Sequence, residues 1–188
     1  SAIEFNQPLN GWNTSNVTNM SKMFRCAKNF NGDISKWDVS NVNNLNGMFQ
    51  SASNFNQDLS NWNISNVTNM NEIFFCAPNF NQPLNNWDVS NVTSMVGMFY
   101  GAEKFNQNIS SWIFNDNTNI SGIFEYAIAF KKKYNKGERF SLDTEDIKEW
   151  FNFNRERMND IDIKEKHGEE INNFFNKLQT NSIQEKDI

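Results

Sequence analysis

The stretch at residues 80–104, FNQPLNNWDVSNVTSMVGMFYGAEK, organises the whole chain because it recurs every 25 residues without a gap. Self-similarity at a fixed period of about 20–50 residues is typical of repeat arrays, in which each unit buries its apolar side chains against its neighbours. The pattern predicts a stack of coils over residues 1–130. The coils begin at Phe5, Phe30, Phe55, Phe80 and Phe105.

The repeat that begins at Phe55 contains two hydrophobic periods. Trp62 and Ile64 alternate with polar residues, which is the period of a strand. The next apolar residues follow the i, i+3, i+4, i+7 spacing of a helix, with Thr68 or Asn69 as its N-cap. These helical positions are Met70, Ile73, Phe74 and Ala77. We therefore predict a right-handed α/β solenoid, leucine-rich-repeat-like, of 25-residue strand-plus-short-helix coils with a C-terminal helical cap.

The repeat register also predicts what lies in the core. The tryptophans share their phase with Leu and Val, so we expect buried ladders rather than a sugar-binding platform. Cys26 and Cys76 lie two coils apart, which at about 4.8 Å per coil separates their Cα atoms by roughly 10 Å. A disulfide requires less than about 7 Å. Both thiols are therefore expected to be free and buried.

The repeat resembles known surface-protein repeats. Leu59-x-x-Trp62-x-Ile64 is similar to the opening of a leucine-rich repeat. The run W-[DN]-V-S-N-V-T-N-M, followed by M-F-x-x-A and F-N-Q, resembles the BspA-type repeats that are abundant in mycoplasma lipoproteins, a family of unknown function. The resemblance implies a surface-exposed, often lipid-anchored protein that takes part in adhesion or host interaction. Asn16, Asn41, Asn66 and Asn91 follow the last strand position by two residues rather than the usual three, so we expect a related hydrogen-bonded ladder between coils and not the standard asparagine ladder.

The composition changes near Phe130, because residues 131–188 are far richer in charge than the repeats. We predict a charged helical cap or tail here. Two amphipathic helices are expected. The first carries Ile147, Trp150, Phe151 and Met158, and the second spans residues 168–179 with Ile171, Phe174, Phe175 and Leu178. Their apolar faces are expected to seal the last coil, or alternatively to bind a partner or each other. The lysines at 131–133 are expected to form a solvated turn.

The charge and the ends of the chain limit its partners. A net charge of −5 argues against nucleic acid, which normally needs a basic face. Residues 1–4 align with the end of a repeat, so we expect further repeats upstream. The sequence contains no apolar run long enough to span a membrane. Membrane attachment is therefore expected only through an anchor outside this chain.

The sequence does not predict an enzyme, a cofactor or a metal site. The single histidine, His167, lies in the charged tail beside Lys166, where no nucleophile or orienting group is expected. We expect it to be solvent-exposed. No pair of cysteines or histidines has metal-ligand spacing, and a weak calcium site on the aspartates is a remote alternative.

One row of polar residues is the candidate binding surface. The position after each tryptophan is Asn13, Asp38, Asn63 or Asp88, and the flanking residues are Lys36, Asn61 and Asn86. These seven residues, called the polar strip below, could contact a partner, or could simply be a solvated edge.

Two functions follow as hypotheses. The first is a non-enzymatic cell-surface adhesion module that binds a host protein or glycan through the strand face. The alternative is a structural spacer or self-assembly unit of a surface lipoprotein, which associates through coil ends or the C-terminal helices. Both place the chain extracellularly, at the cell surface, with membrane anchoring in the full-length protein.

Overall fold

Each copy of the repeat forms one coil, and backbone hydrogen bonds join it to the next coil. This computed structural model describes residues 2–184, with side chains through residue 173. The Met20 amide donates to the Asn44 carbonyl over 3.0 Å. The same bond recurs from Leu45 to Asn69, Met70 to Ser94, and Met95 to Asn119. The 25-residue period therefore corresponds to one layer of a stack.

The predicted fold class is wrong. Within residues 2–184, the only regular elements are the helices α1, Ile128–Tyr134, and α2, Thr144–Gln184. The coils consist of turns joined by isolated parallel bridges, one between each pair of successive coils, for example Asn44 with Asn69. The molecule is therefore not an α/β solenoid of strand-plus-helix coils, but a stack of turn-built coils followed by two helices.

The predicted helix in each coil is replaced by a ladder of turns. Glu72 and Cys76 have φ angles of +56° and +51°, a left-handed conformation that a right-handed helix does not allow. Alternate amides, such as that of Phe74, donate to the next coil, while that of Ile73 closes a turn onto the Met70 carbonyl. The predicted residues do face the core. The apolar spacing therefore indicated which side chains are buried, but it did not indicate which hydrogen bonds the backbone forms.

The predicted strand is interrupted by turns at both ends. The Trp62 amide bonds the Leu59 carbonyl, and the Val67 amide bonds the Ile64 carbonyl. Between them, the Ser65 amide donates to the Asn63 side chain over 3.2 Å. These local bonds use the donors that a strand would offer to its neighbours, because Asn and Ser compete for backbone groups.

Stacked aromatic rings fill the centre of the coils. Phe49, near the end of the second coil, and Phe55, at the start of the third, lie 3.8 Å apart between ring centroids. Between coils, Phe49 and Phe74 lie 5.8 Å apart. The tryptophan prediction is confirmed for Trp37, Trp62, Trp87 and Trp112, which are buried, but it is wrong for Trp12 of the first coil, which is 55% exposed. Each of the four buried indole N–H groups donates to a carbonyl 28 residues earlier.

The predicted hydrogen-bonded ladder is also present. The Asn41 side chain donates to the Ser15 carbonyl over 2.7 Å. Asn66 and Asn91 repeat this bond in the following coils. The second, third and fourth coils each contribute this bond, so three exposed asparagines join successive layers at the surface.

The cysteine prediction holds in part. Cys26 and Cys76 are free, as expected, but both are half-buried rather than buried. Their left-handed backbone turns the side chains toward the edge of the coil. They are therefore not part of the central core.

The C-terminal segment covers the last coil with one long helix rather than two. α2 continues through Gly168, and its residues Ile147, Phe151 and Met158 are buried. The Phe151 ring lies 6.2 Å from that of Phe124 in the fifth coil. Arg155 donates to the carbonyls of Ser110 and Trp112. The side chains of Phe174, Phe175 and Leu178 lie outside the described residues.

The lysines at 131–133 belong to α1 rather than to a turn. Lys133 contacts Asp162 at 2.7 Å and Glu165 at 2.9 Å, so it joins α1 to α2. The prediction of a solvated turn is wrong because these two carboxylates come from a distant part of the sequence. Neither described helix is both long and apolar enough to cross a membrane.

Candidate functional site

The structure places every residue of the polar strip on the surface. All seven side chains are exposed, and four of them occupy the equivalent position in successive coils. The neighbouring Thr14 hydroxyl donates to the Asp38 carbonyl over 2.9 Å and so joins the first two coils at this corner. The structure therefore arranges the strip as a row, one polar side chain per coil.

A local turn fixes four of these side chains. Asp38 Oδ1 accepts the Ser40 amide at 3.0 Å and the Ser40 hydroxyl at 2.6 Å. Asn13, Asn63 and Asp88 bond the residue two places later in the same way. These are Asx turns, in which a side chain replaces a backbone acceptor. The strip residues therefore have a structural role as well as a surface position.

The same bonds keep the two strip carboxylates ionised. Hydrogen bonds from Ser40 lower the pKa of Asp38, and those from Ser90 lower the pKa of Asp88. A bond that favours the charged form of a carboxyl makes it harder to protonate. Two fixed negative charges, separated by the neutral Asn63, therefore lie along the row.

The described side chains offer little basis for catalysis or for metal binding. His167 is exposed on α2. No three His, Cys, Asp or Glu side chains converge closely enough to hold a metal ion in the part of the chain that the structure describes. The expectation that the chain is not an enzyme stays a prediction.

A second surface, which the sequence did not predict, is an aromatic ridge formed by Phe75, Tyr100 and Tyr126. The Phe75 and Tyr100 rings stack with centroids 4.5 Å apart, and Tyr126 meets Tyr100 edge-on at 5.1 Å. Tyr126 is 54% exposed. The ridge runs across the third, fourth and fifth coils on the side of the turn ladder.

A cleft lies on each side of this ridge. The first, of about 420 Å³, is lined by Cys76, Pro78, Tyr100, Glu103, Tyr126 and Ile128, among others. The second, of about 380 Å³, adds Glu72, Phe75, Glu125, Arg139 and Leu142. Tyr100 and Tyr126 line both clefts. Both clefts are shallow and open to solvent, with mostly apolar walls and few polar groups.

Negative charge surrounds the ridge. Glu125 is buried and bonds Arg139 at 2.7 Å, whereas the Glu72 carboxylate accepts an amide hydrogen bond from Gln50. Burial, and then the nearby Tyr126 and Glu125, raise the pKa of Tyr100. Burial and Glu103 raise the pKa of the Cys76 thiol, so it remains protonated and is a poor nucleophile.

Sequence reasoning missed the ridge because aromatic residues do not recur at this position of the repeat. The residues equivalent to Phe75 and Tyr100 in the first two coils are Arg25 and Gln50. Aligning the coils does show two aromatics in successive layers, and that was the available signal. Tyr126 joins them from the next position along its coil, where its left-handed φ of +56° brings it beside Tyr100.

Comparison with known proteins identifies a family. The family model described as "Mycoplasma protein of unknown function, DUF285" matches residues 1–75 and again residues 58–165. No curated protein and no solved structure gives a match. The mycoplasma relationship inferred from the motifs is thereby shown at the level of this family. The match does not by itself show a BspA-type leucine-rich repeat.

Proposed function

The chain belongs to the DUF285 family of mycoplasma proteins, and we propose that it is a non-enzymatic interaction module that binds a host protein or glycan through the polar strip. The observation that carries the proposal is the row of exposed Asx-turn side chains, held in register by the stacking of the coils. A row with one polar group per coil suits an extended ligand that lies along the stack.

Preorganisation supports this role. Each strip side chain in an Asx turn is already fixed by its own coil, so less side-chain entropy is lost when a partner binds. In Asp38 and Asp88, the bonds engage Oδ1 and leave the other carboxylate oxygen to accept a hydrogen bond. Lys36 adds an exposed cation two residues before Asp38. The strip can therefore offer both donors and acceptors to a polar ligand.

The proposal includes a location. We place the protein outside the cell, at the cell surface, with anchoring by a segment outside this chain. The similarity of its motifs to BspA-type repeats of mycoplasma lipoproteins supports this location. Accessibility of the chain to externally added protease on intact cells tests it, and complete protection with intact membranes would contradict it.

The alternative function is a structural spacer or self-assembly unit. One observation favours it: α2 carries large apolar side chains that remain exposed, namely Phe153 at 88%, Ile163 at 53% and Ile171 at 55%. Stacking through the last coil is blocked, because Phe140 and Phe151 cover it. Self-association would therefore use the surface of α2 rather than that coil.

The test is binding to a panel of host extracellular-matrix proteins and host cells. The double variant Asp38→Arg, Asp88→Arg reverses both strip charges. The matched control is Asp33→Arg, Asp58→Arg, which makes the same charge change at Asx turns elsewhere in the coil. Both variants are first compared by thermal melting, followed by circular dichroism.

Loss of binding in the strip variant alone supports the proposal. Equal binding by wild type and both variants would show that the strip is only a solvated edge. Concentration-dependent dimer formation, unaffected by the strip variant and abolished by Ile163→Ser, Ile171→Ser, would instead favour the assembly function.

A further inference from the structure

Charge is unevenly distributed along the turn-ladder side of the coils. The first coil has three exposed cations, Lys22, Arg25 and Lys28. None of the twelve equivalent positions in later coils carries a cation, and five carry an acid or an aromatic residue: Glu72, Phe75, Tyr100, Glu103 and Glu125. The aromatic ridge therefore lies in the acidic part of this surface, and it shares no residue with the polar strip.

We propose that the aromatic ridge is a second binding site, and that it takes an extended segment of a partner protein bearing arginine or lysine side chains. Each cleft combines a tyrosine wall with a carboxylate, from Glu103 in one and from Glu72 in the other. A guanidinium or ammonium group gains from both, through attraction to the ring and through the ion pair.

The protein already places one of its own cations at this surface. Arg139 lines the second cleft and donates to Glu125 over 2.7 Å, while its side chain remains 69% exposed. Arg139 follows α1 and reaches back to the fifth coil, as an arginine from a partner would. The environment of the ridge thus accommodates a guanidinium beside aromatic rings and carboxylates.

The negative surroundings of Tyr100 point the same way. Glu125 and Tyr126 contribute to the raised pKa of its hydroxyl, after burial. Of these causes, only the Glu125 carboxylate is a negative charge that would also attract a cation, and it already bonds Arg139. The pKa shift therefore supports the proposal only through Glu125.

The geometry favours a basic peptide over a glycan. The Phe75 and Tyr100 rings are nearly parallel, with an interplanar angle of 5°, and each covers one face of the other. A sugar and a cation both use the open ring faces, whereas only a cation can also form an ion pair with the cleft carboxylates Glu103 and Glu72. Two clefts on either side of Tyr100 suit two cationic side chains of one extended segment.

The experiment measures fluorescence anisotropy of a short labelled peptide of alternating arginine and serine. The reference peptide replaces each arginine with citrulline, which keeps the shape and removes the charge. Wild-type protein should bind the arginine peptide and not the citrulline peptide, and added salt should weaken the binding. Equal binding of both peptides, or of neither, would overturn the proposal.

Two variants separate the contributions of charge and ring. Glu103→Gln removes one cleft carboxylate, and Tyr126→Asn removes a ring while keeping a residue that tolerates left-handed backbone. Each should weaken binding by about tenfold, the scale of one desolvated cation–ring or ion-pair contact. Glu156→Gln, an exposed acid on α2, is the control and should bind as wild type does.

Other outcomes would contradict the proposal in recognisable ways. Equal weakening by Glu156→Gln would show attraction to net charge rather than a site. Binding of a neutral oligosaccharide that is lost in Tyr126→Asn and kept in Glu103→Gln would show a glycan site instead. The variant Asp38→Arg, Asp88→Arg should keep peptide binding, so failure of the polar strip and failure of the ridge are distinguishable.

Discussion

The coils and α2 satisfy their backbones in opposite ways. In the coils, amides such as that of Phe74 donate to a carbonyl 24 residues later, in the next layer. In α2, the bonds stay within the helix, four residues apart. Each coil therefore depends on its neighbours for both hydrogen bonds and core packing, whereas a helix needs neighbours only to bury its apolar face.

The side chains reflect the same contrast. Two phenylalanines of the third coil, Phe55 and Phe74, are completely buried. On α2, Ile147 and Phe151 are buried near the start, while Ile163 and Ile171 are exposed further along. The stack is thus closely packed from its second coil onward, but the support of α2 by the coils decreases toward its C-terminal part.

The largest expected effect comes from breaking the aromatic ladder. Phe74→Ala removes a ring that stacks on Phe80 at 3.7 Å and on rings in both adjacent coils at 5.8 Å. We expect the free energy of unfolding to fall by about 3–5 kcal/mol, since a large buried cavity is created. Denaturant titration measures it.

The control for the ladder is Phe153→Ala on α2, where the ring is 88% exposed. Its effect should stay within about 0.5 kcal/mol. A similar loss of unfolding free energy in Phe74→Ala and Phe153→Ala would contradict the prediction, because it would show that the buried ring contributes no more to stability than the exposed one.

Substitution of glycine by alanine should destabilise the coils but stabilise α2. At Gly101, φ is +65° and an added Cβ would lie 3.3 Å from the Cys76 sulfur. Gly101→Ala should cost about 1–2 kcal/mol through left-handed strain and this close contact. Gly168 lies within α2 with no atom within 4 Å of an added Cβ, so Gly168→Ala should stabilise the helix by about 0.5–1 kcal/mol.

Thermal melting compares the two glycine variants, and helical circular dichroism follows α2. A stabilising Gly101→Ala would contradict the turn-ladder geometry. A destabilising Gly168→Ala would mean that α2 is not a continuous helix at this residue.

A smaller effect is expected where α1 and α2 meet. The buried Tyr134 hydroxyl donates to Asp162 over 2.8 Å, and burial followed by this bond raises the pKa of Tyr134 above the ordinary value of 10.0. Above pH 10, the unfolded chain releases this proton and the folded chain retains it. Stability should therefore fall as pH rises through that range.

Tyr134→Phe tests this junction. At neutral pH, the variant should lose about 1 kcal/mol for the hydrogen bond. Above pH 10, its stability should decline less steeply than that of wild type, because the titrating group is gone. Denaturant titrations at several alkaline pH values measure both proteins. If the unfolding free energies of wild type and Tyr134→Phe fall in parallel, groups other than Tyr134 cause the decline.

The smallest effect is expected from a substitution in the exposed part of α2. Residues 169–173 are exposed, so the free energy of unfolding of Ile171→Ser should lie within about 0.5 kcal/mol of the wild-type value. The variant keeps the contacts of Lys133 with Asp162 and Glu165. A drop comparable to that of Phe74→Ala would mean that the end of α2 supports the stack.

The sequence alone determined much of the core and of the surface row. A strict period assigns the same environment to every copy, so Phe55, Trp62 and Met70 were identified as buried, and Asn63 as exposed, without a structure. The family relationship also followed from the repeated motif. The ladder of asparagine bonds was predictable because a residue that recurs at each layer can bond the layer before it.

Only the tertiary structure decided the backbone and the second site. The i, i+3, i+4, i+7 spacing fits a helix, but here alternate amides bond the next coil, and that partner lies 24 residues away in sequence. Local patterns cannot show such bonds. The aromatic ridge arises for the same reason. Phe75, Tyr100 and Tyr126 are separated along the chain, and they become neighbours only because coil stacking and left-handed turns place them side by side.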